Sequence, residues 1–326
     1  MYSKDFFKIY YPENKTIAVG NLNTGGSGKT PLSEYLLQLL IDNNIEVSYV
    51  SRGYKRKTKG YYQASDEPNY LNIGDEAFQI HKKFPAVDVL LSENRKTALE
   101  QYGKNSKFKG VFVFDDAFQH RQLKCGLYIL LTPCHKPYFN DYVLPAGNLR
   151  ESKFNASRAD IIIVTKCPEI LDNDIKSKIA GKLKLQNNQI VLFTFIKYGK
   201  LYHAFNKHSL NMDVLTDSHI ILFSGIADPG PITHFLKHKC KSLITIHYKD
   251  HKQFYSMNIL RVTKAFNALE TDKKFIITTE KDFSRIMNLK TEKLLENLPV
   301  YILPVKMEFH DNMQRVFNQK ILDYVR

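Results

Sequence analysis

Thr16-Ile17-Ala18-Val19-Gly20, running through Asn21 and Leu22 into Asn23-Thr24-Gly25-Gly26-Ser27-Gly28-Lys29-Thr30, decides how this chain is read. An apolar strand-like run, a glycine-rich turn and a helix-like stretch opening at Lys-Thr together make a phosphate cradle. In such a loop the backbone N–H groups wrap phosphates, the lysine reaches the β and γ oxygens, and the hydroxyl of the next residue ligates Mg²⁺. Residues Asn23, Thr24, Gly25, Gly26, Ser27, Gly28, Lys29 and Thr30 are therefore the candidate nucleotide-binding set. A strict G-x-x-x-x-G-K-[ST] loop would have glycine where Asn23 stands. The plain alternative is a glycine loop with a chance Gly-Lys-Thr, and the strand before it and the helix after it argue against that reading.

Outward from the loop, apolar runs and helical patterns alternate. Leu32, Leu36, Leu39 and Leu40 share one helical face, and Glu46–Val50, Val87–Leu91, Val111–Phe114, Leu127–Leu131 and Ile161–Val164 read as strands. That alternation predicts an α/β fold with a doubly wound, mostly parallel sheet covered on both faces. Residues 1–190 are expected to form this lobe. Residues 191–310 read as a β-rich connector and a second, smaller α/β lobe, with strands at His219–Phe223, Leu243–His247, Phe275–Thr278 and Val300–Leu303. A final helix near 311–326, with Met313, Val316, Phe317, Ile321 and Tyr324 on one face, is expected to pack back on the first lobe.

Composition sets the outer limits. The 326 residues, 43% hydrophobic and 12% aromatic, can bury a sizeable core, and the length suits about two domains. Lys plus Arg (47) exceed Asp plus Glu (33), for a net charge of +14 that favours anionic partners. The lysines are spread along the chain without a basic block or a nucleic-acid module, so no nucleic acid is expected, and no protein partner is evident. Cys125, Cys134, Cys167 and Cys240 lack C-x-x-C spacing, which points away from zinc and from a disulfide framework and toward a reducing, cytoplasmic setting. No apolar run reaches a membrane span.

The residues that could carry chemistry sit at strand ends. Val111–Phe114 ends in Asp115-Asp116, the arrangement by which a nucleotide site holds Mg²⁺ opposite its glycine loop, because parallel strands bring their carboxyl ends to one crevice. Gln119 and His120 follow closely and could equally be a helix-start glutamine and a surface histidine. Asp75-Glu76 supplies acids able to orient or deprotonate an acceptor hydroxyl, or simply a helix N-terminus. Arg52 and Arg95 offer phosphate-binding cations or surface ion pairs, and the loop from Leu144 to Arg150-Glu151 could clamp a substrate or phosphate. Asp250-His251 and Thr279-Glu280-Lys281-Asp282 are polar clusters at strand ends in the second half.

These motifs, with Ser51-Arg52-Gly53-Tyr54, Asp115-Asp116-Ala117-Phe118-Gln119-His120 and Leu144-Pro145-Ala146-Gly147 among them, stand in the order found in the tetraacyldisaccharide 4′-kinase family, which the chain resembles over about residues 17–285. The resemblance implies ATP- and Mg²⁺-dependent phosphorylation of the 4′-hydroxyl of a tetraacyl glucosamine disaccharide 1-phosphate in lipid A biosynthesis. It also implies peripheral residence at the cytoplasmic face of the bacterial inner membrane, against its anionic surface, and two α/β lobes joined by a β-ribbon. By position, Lys29 and Thr30 match the family's phosphate and Mg²⁺ residues, and Asp115 and Asp116 its metal-side acids, with Glu76 assigned to the same metal. Asp75 matches the general base, with His251 its partner across the lobes. Arg95, Gln119, His120, Arg150 and Glu151 fall on positions lining the site, as substrate contacts.

Ala117 and Lys55 replace glycines common in the family. The family usually opens with a hydrophobic membrane helix, whereas about fifteen residues precede Thr16: either the chain is truncated or it meets the membrane by other means, such as its basic surface and the aromatic residues near Phe6, whose plain alternative is an ordinary leading segment packed on the domain. Two rivals remain. One is a kinase of another small hydroxyl substrate. The other is a nucleotide-dependent switch or chaperone, which loses weight because Thr165-Lys166-Cys167-Pro168 lacks the Asn and Asp of a guanine-reading motif and Thr24 stands where a partner-activated ATPase often has lysine.

Overall fold

The computed structural model of the chain describes residues 9–65, 68–105, 108–287 and 292–326. Its strands, in chain order, are β1 (Thr16–Asn21), β2 (Val47–Ser51), β3 (Tyr62–Gln63), β4 (Asp88–Leu91), β5 (Val111–Phe114), β6 (Leu127–Pro133), β7 (Ile161–Cys167), β8 (Ile190–Tyr198), β9 (Leu201–His203), β10 (Ser209–Leu210), β11 (His219–Ser224), β12 (Ser242–His247), β13 (Lys274–Thr278), β14 (Val300–Ile302) and β15 (Val305–Phe309). The helices are α1 (Lys29–Asp42), α2 (Tyr70–Ile73), α3 (Asp75–Lys83), α4 (Arg95–Asn105), α5 (Asn173–Leu183), α6 (Gly230–Lys237), α7 (Ser256–Asn267), α8 (Glu280–Ile286) and α9 (Met313–Val325).

Contacts divide the chain into two units. One gathers the residues up to Pro68, Ile80–Lys197 and Lys306–Arg326; the other gathers Asn69–Gln79 and Tyr198–Val305. Asp75 and Glu76, expected in the first lobe, are thus grouped with the second. The reason lies in their partners, which come from residues far along the chain rather than from the strands that flank them in sequence.

The first unit is built on a sheet ordered β15-β8-β7-β6-β1-β5-β2-β4-β3 among the described residues. Strands β8 to β4 of this order run parallel, and β3 is antiparallel at one edge. Every residue of β1, β2, β5 and β6 is buried, as expected where helices cover both faces of a parallel sheet. β1 lies between β5 and β6, so the strand order reverses beside it and a crevice opens at its carboxyl end. Gly20 is required there by space: a Cβ at this position would stand 2.5 Å from Phe118 Cβ and 2.9 Å from Phe118 N. α9 packs on this unit. Its Phe317 and Ile321 are buried, Phe317 packs 4.9 Å from Phe309 between ring centroids, and the Tyr324 hydroxyl donates to Thr16 O at 3.1 Å.

The second unit carries a sheet ordered β10-β9-β14-β13-β11-β12, parallel from β14 to β12 and antiparallel at β9 and β10. Phe223, Phe254, Ile259, Val262 and Phe283 fill one of its faces, and Leu215, Ile220, Ile232 and Leu236 the other. The chain enters through β8–β9 and leaves through β14–β15, with Gly199 N donating to Pro304 O at 2.9 Å, which is the β-ribbon the family resemblance implied.

Candidate active site

The expected site residues fall into two clusters, one in each unit. In the first, Asn21 at the end of β1 turns the chain into the glycine loop: its Nδ2 donates to Asn23 O at 2.6 Å. The loop is pinned from outside by Thr24 N to Asn148 O (2.7 Å) and Arg150 N to Leu22 O (2.8 Å). Thr24, Gly25 and Gly26 are exposed, and Gly28 caps α1 with φ 89°, a left-handed conformation that glycine adopts without strain. α1 then opens at Lys29-Thr30-Pro31. Pro31 in the first turn has no N–H to leave unsatisfied, and the remaining first-turn N–H groups have no intrahelical partner. The result is a half-ring of backbone donors at the positive end of a helix.

Lys29 Nζ donates to Asn21 Oδ1 at 3.0 Å and lies 3.4 Å from Asp116 Oδ1. Arg150 reaches the same carboxylate through Nη1 at 2.8 and 2.9 Å. Burial works against the charge of Asp116, but Lys29 and Arg150 outweigh it and hold the carboxyl below its usual range. Asp115, one residue earlier, is buried, and its Oδ1 takes no hydrogen bond of ordinary geometry. Burial pushes the Asp115 carboxyl up, against the pull of Lys29. Around the same loop Ser27 Oγ, Asn23 Oδ1 and Gln119 Oε1 are likewise buried without hydrogen bonds. Buried oxygens beside a donor-lined loop are acceptors of the kind a cation takes.

The other expected contacts take defined places. Gln119 Nε2 bridges Asn21 O and Glu151 Oε1, each at 2.9 Å, and Glu151 is also held by Arg158 at 2.7 Å. His120 is half-buried, and burial, with Arg95 and Arg52, brings its imidazole down to about 4, so it is neutral at pH 7. Arg95, expected as a substrate contact, is 1% exposed; its Nη1 and Nη2 donate to Ser92 O (2.7 Å) and Asp115 O (2.9 Å). It braces the backbone of Asp115 from behind.

In the second unit Asp75 Oδ2 and His251 Nδ1 are 3.0 Å apart, although 176 residues separate them in sequence. The pair expected across the lobes is therefore contained in one unit. Asp75 opens α3 after Gly74, and His251 sits in a turn after β12 with φ 54°, steadied by its own N–H to Asp250 Oδ1 at 2.9 Å. Lys281 stands among these acids, with Nζ 2.9 Å from Glu76 Oε1, 3.3 Å from Asp250 Oδ1 and 3.9 Å from Asp75 Oδ2. Burial opposes ionisation of Asp75, but the His251 hydrogen bond and the Lys281 charge hold it well below the usual carboxylate range. Burial and the neighbouring Asp75 push Glu76 up to about 7.

Asp75, Glu76 and His251 bring one ligand atom each within 4.8 Å of one another, a spacing open to a metal, but the Lys281 ammonium already supplies positive charge there. Thr279 caps α8 through Asp282, and buried Asp282 accepts from Gly225 N at 3.0 Å and pairs with Arg285. That network is what aims Lys281. Sequence reasoning quoted Thr279-Glu280-Lys281-Asp282 as a polar strand-end cluster but gave Lys281 no role; its position one residue into a capped helix after β13 was the available signal.

A parallel sheet with a glycine-rich loop leading into a Lys-Thr helix N-terminus, faced by paired carboxylates from the neighbouring strand, defines a P-loop phosphotransferase fold. Comparison with known proteins narrows this: residues 1–325 match the family described as tetraacyldisaccharide-1-P 4′-kinase. The tetraacyldisaccharide 4′-kinase of Bacteroides thetaiotaomicron is 40% identical over 322 residues, 95% of this chain and 84% of its own length. That of Flavobacterium psychrophilum is 41% identical over 312 residues, covering 95% and 86%. The crystal structure of LpxK from Aquifex aeolicus in complex with ATP superimposes with a TM-score of 0.73 at 28% identity, covering 100% of this chain and 93% of that one. The chain belongs to the tetraacyldisaccharide-1-P 4′-kinase family and is a kinase.

Proposed function

We propose that this chain transfers the γ-phosphoryl group of ATP to the 4′-hydroxyl of a tetraacyl disaccharide 1-phosphate, a step of lipid A biosynthesis. The observation that carries the reading is Lys29 at the mouth of a donor-lined loop, held by Asn21 and Asp116, in a chain of this family. Thr24 to Thr30 bind the phosphates. Lys29 leaves Asp116 for the β/γ oxygens, and Arg150 keeps Asp116 paired when it does.

Thr30, Asp115 and Asp116 suit a divalent cation, since oxygen ligands are what Mg²⁺ takes and Asp115 is a buried carboxylate at the end of the strand beside the loop. When bound, Mg²⁺ neutralises charge on the transferring phosphate. Glu76 was expected at the same metal, and its pairing with Lys281 favours a part in the Asp75–His251 cluster instead. Asp75 takes the acceptor proton, and His251, hydrogen-bonded to it, orients the carboxylate and shares that proton. Gln119, Glu151 and Arg150 line the acceptor side, while Arg95 and His120 support from within.

Contact with an anionic membrane surface, at the cytoplasmic face of the inner membrane, follows from the lipid nature of such an acceptor and the net charge of +14. No helix among the described residues is long and apolar enough to cross a membrane. The aromatic segment at Phe6, also expected to touch lipid, lies outside the described residues.

Transfer of labelled phosphate from ATP is the test, comparing a tetraacyl disaccharide 1-phosphate with glycerol lipids, simple sugars and water. Label on the disaccharide, reduced about 10³-fold by Lys29→Ala in a folded protein, is expected. Equal labelling of a simple sugar, or label released only to water, would replace this reading with the kinase of another acceptor or the nucleotide-driven switch.

A further inference from the structure

Asp141 to Arg150 folds back on itself as a small, tightly bonded hairpin beside the phosphate loop. Leu144 N donates to Leu149 O (3.0 Å), Leu149 N to Tyr142 O (2.9 Å) and Ala146 N to Val143 O (3.0 Å). The Asp141 carboxylate ties its base, with Oδ1 accepting from Tyr142 N at 2.9 Å and from Asn148 N at 3.0 Å. Gly147 lies against Asp141 and the Tyr142 backbone with no room for a Cβ. Leu149 and, just ahead of the hairpin, Tyr138 are buried in the core of the first unit. The hairpin is therefore held in one shape and anchored from below.

Its outer residues are nonetheless apolar and open to solvent. Tyr142 is 69% exposed, Val143 42% and Leu144 54%, and Pro145 and Ala146 follow them at the surface. Exposed apolar side chains are ordinary when scattered singly. Here they stand in a row on a backbone that cannot fold them away, which is the pattern of an interaction surface. Lys136 is exposed in the turn that leads into the hairpin, and exposed Lys153 reaches back through Nζ to Phe139 O at 3.4 Å, with Phe154 beside it 81% exposed. The single acid of the hairpin, Asp141, is spent on backbone donors. Apolar side chains and a tyrosine at the tip, with lysines behind them, complement a partner that is apolar within and anionic at its surface.

We propose that the Tyr142–Pro145 tip inserts into the acyl layer of an anionic phospholipid bilayer and sets the height of the nucleotide loop above it. The same hairpin pins that loop, through Thr24 N to Asn148 O (2.7 Å) and Arg150 N to Leu22 O (2.8 Å). Pro145 stands three residues before Asn148, no more than about 11 Å of extended chain. The headgroup layer outside the hydrocarbon is about 5–8 Å deep on each side. A tip just inside the acyl boundary therefore leaves Thr24 at headgroup level, where the hydroxyl of a lipid-borne sugar lies. Val143 and Leu144 exchange water for hydrocarbon, the Tyr142 ring takes the boundary, and Lys136 and Lys153 meet lipid phosphates. This gives the membrane contact proposed above a defined surface, and it rests on that reading.

The chain contains no tryptophan, so Val143→Trp puts a single fluorophore at the tip. The full chain is titrated with vesicles of phosphatidylglycerol and phosphatidylcholine at low and high salt, with and without phosphatidylcholine brominated on its acyl chains. A blue shift of the emission, quenching by the brominated lipid and partial persistence of both at high salt are expected. In co-sedimentation with the same vesicles, Val143→Asp is expected to bind about 10–30-fold more weakly than wild type. Ile175→Asp, in the first turn of α5 where an acid is tolerated, is expected to bind as wild type does. Val143→Asp bound as tightly as wild type, or a fluorophore that stays unshifted and unquenched on bound vesicles, overturns the tip and leaves the membrane reading to the rest of the basic surface. Equal weakening by Ile175→Asp also overturns it, since any added negative charge would then suffice. A blue shift that grows with protein concentration in the absence of lipid assigns the tip to a second copy of the chain instead. Wild-type protein that binds no anionic vesicle removes the membrane reading itself, and the tip with it.

Discussion

Replacing Lys281 by methionine removes a cation that lies 2.9, 3.3 and 3.9 Å from three different carboxylates. At an effective dielectric near 20, each such contact amounts to about 4–6 kcal/mol of gross attraction. Desolvation of the ammonium cancels most of that, and removing one partner of a buried pair costs roughly 3–5 kcal/mol net. The Lys281 side chain retains 20% exposure, so the lower end, about 2–3 kcal/mol, is expected after solvent screening.

The pH dependence makes the argument specific. Glu76 titrates near 7 even with Lys281 beside it, raised above the ordinary 4.5. A carboxyl raised on folding favours the folded state when protonated, so its contribution is full below the unfolded value and is lost as pH rises through the folded one. Without Lys281 the Glu76 carboxyl rises further, and the loss becomes deeper and extends to higher pH. Thermal unfolding of wild type and Lys281→Met should therefore differ less at pH 5, where Lys281 still faces the ionised Asp75, than at pH 8–9, where the gap should reach on the order of 5–10 °C. Lys281→Arg should recover much of the difference. A gap that is flat from pH 5 to 9, or a methionine variant as stable as wild type at pH 9, would refute the placement of this charge.

Three further outcomes are expected. Asp75→Asn and His251→Ala should each slow phosphoryl transfer by about 10²–10⁴-fold with ATP affinity nearly unchanged, and the double variant should be little worse than the slower single one; losses that multiply would show that the two side chains, 3.0 Å apart, do not act as a unit. Gly20→Ala should destabilise by about 1–3 kcal/mol through overpacking, because its Cβ would meet Phe118 Cβ at 2.5 Å; chemical denaturation with an unchanged midpoint would contradict the close approach. Arg150→Met leaves Lys29 as the remaining cation on Asp116, so ATP binding should weaken by about 3–10-fold, in keeping with a part-exposed ion pair of about 1 kcal/mol; equal or tighter ATP binding in a calorimeter would count against the exchange.

What the sequence made legible was local. β5 at Val111–Phe114 and its terminal Asp115-Asp116 stand where the apolar run placed them, and α1 opens at Lys29 because glycine at 28 allows φ 89°. The family resemblance, read from motifs in register, is borne out over residues 1–325. Pairing at a distance was not legible. β15 joins β8 at the edge of the first sheet, which no periodicity in Val305–Phe309 announces. Residues 69–79 group with the second unit through partners such as His251, Lys281 and Arg285, all more than 170 positions away. Arg95 was expected at substrate because arginines suit phosphate, but burial and the carbonyls of Ser92 and Asp115 claim it. Residue type alone does not separate a cation that binds ligand from one that braces the chain.

The two clusters follow the same electrostatic rule. Each keeps an essential charge paired before any substrate arrives, and each supplies a second partner so that the pairing can be exchanged. In the first, Lys29 rests on Asp116, which Arg150 also holds. Phosphate can therefore take the lysine without leaving a carboxylate unpaired, and what nucleotide binding must overcome is a part-exposed ion pair of about 1 kcal/mol rather than a buried orphan charge. In the second, Lys281 and His251 both face Asp75, and Lys281 also carries Glu76 and Asp250. A proton reaching Asp75 enters a set of groups whose net charge changes by one unit among several, with the histidine close enough to share it. In the proposed reaction, fixed neighbours of opposite sign would make both the movement of Lys29 and the arrival of that proton cheap in reorganisation, because the compensating charge is already in place.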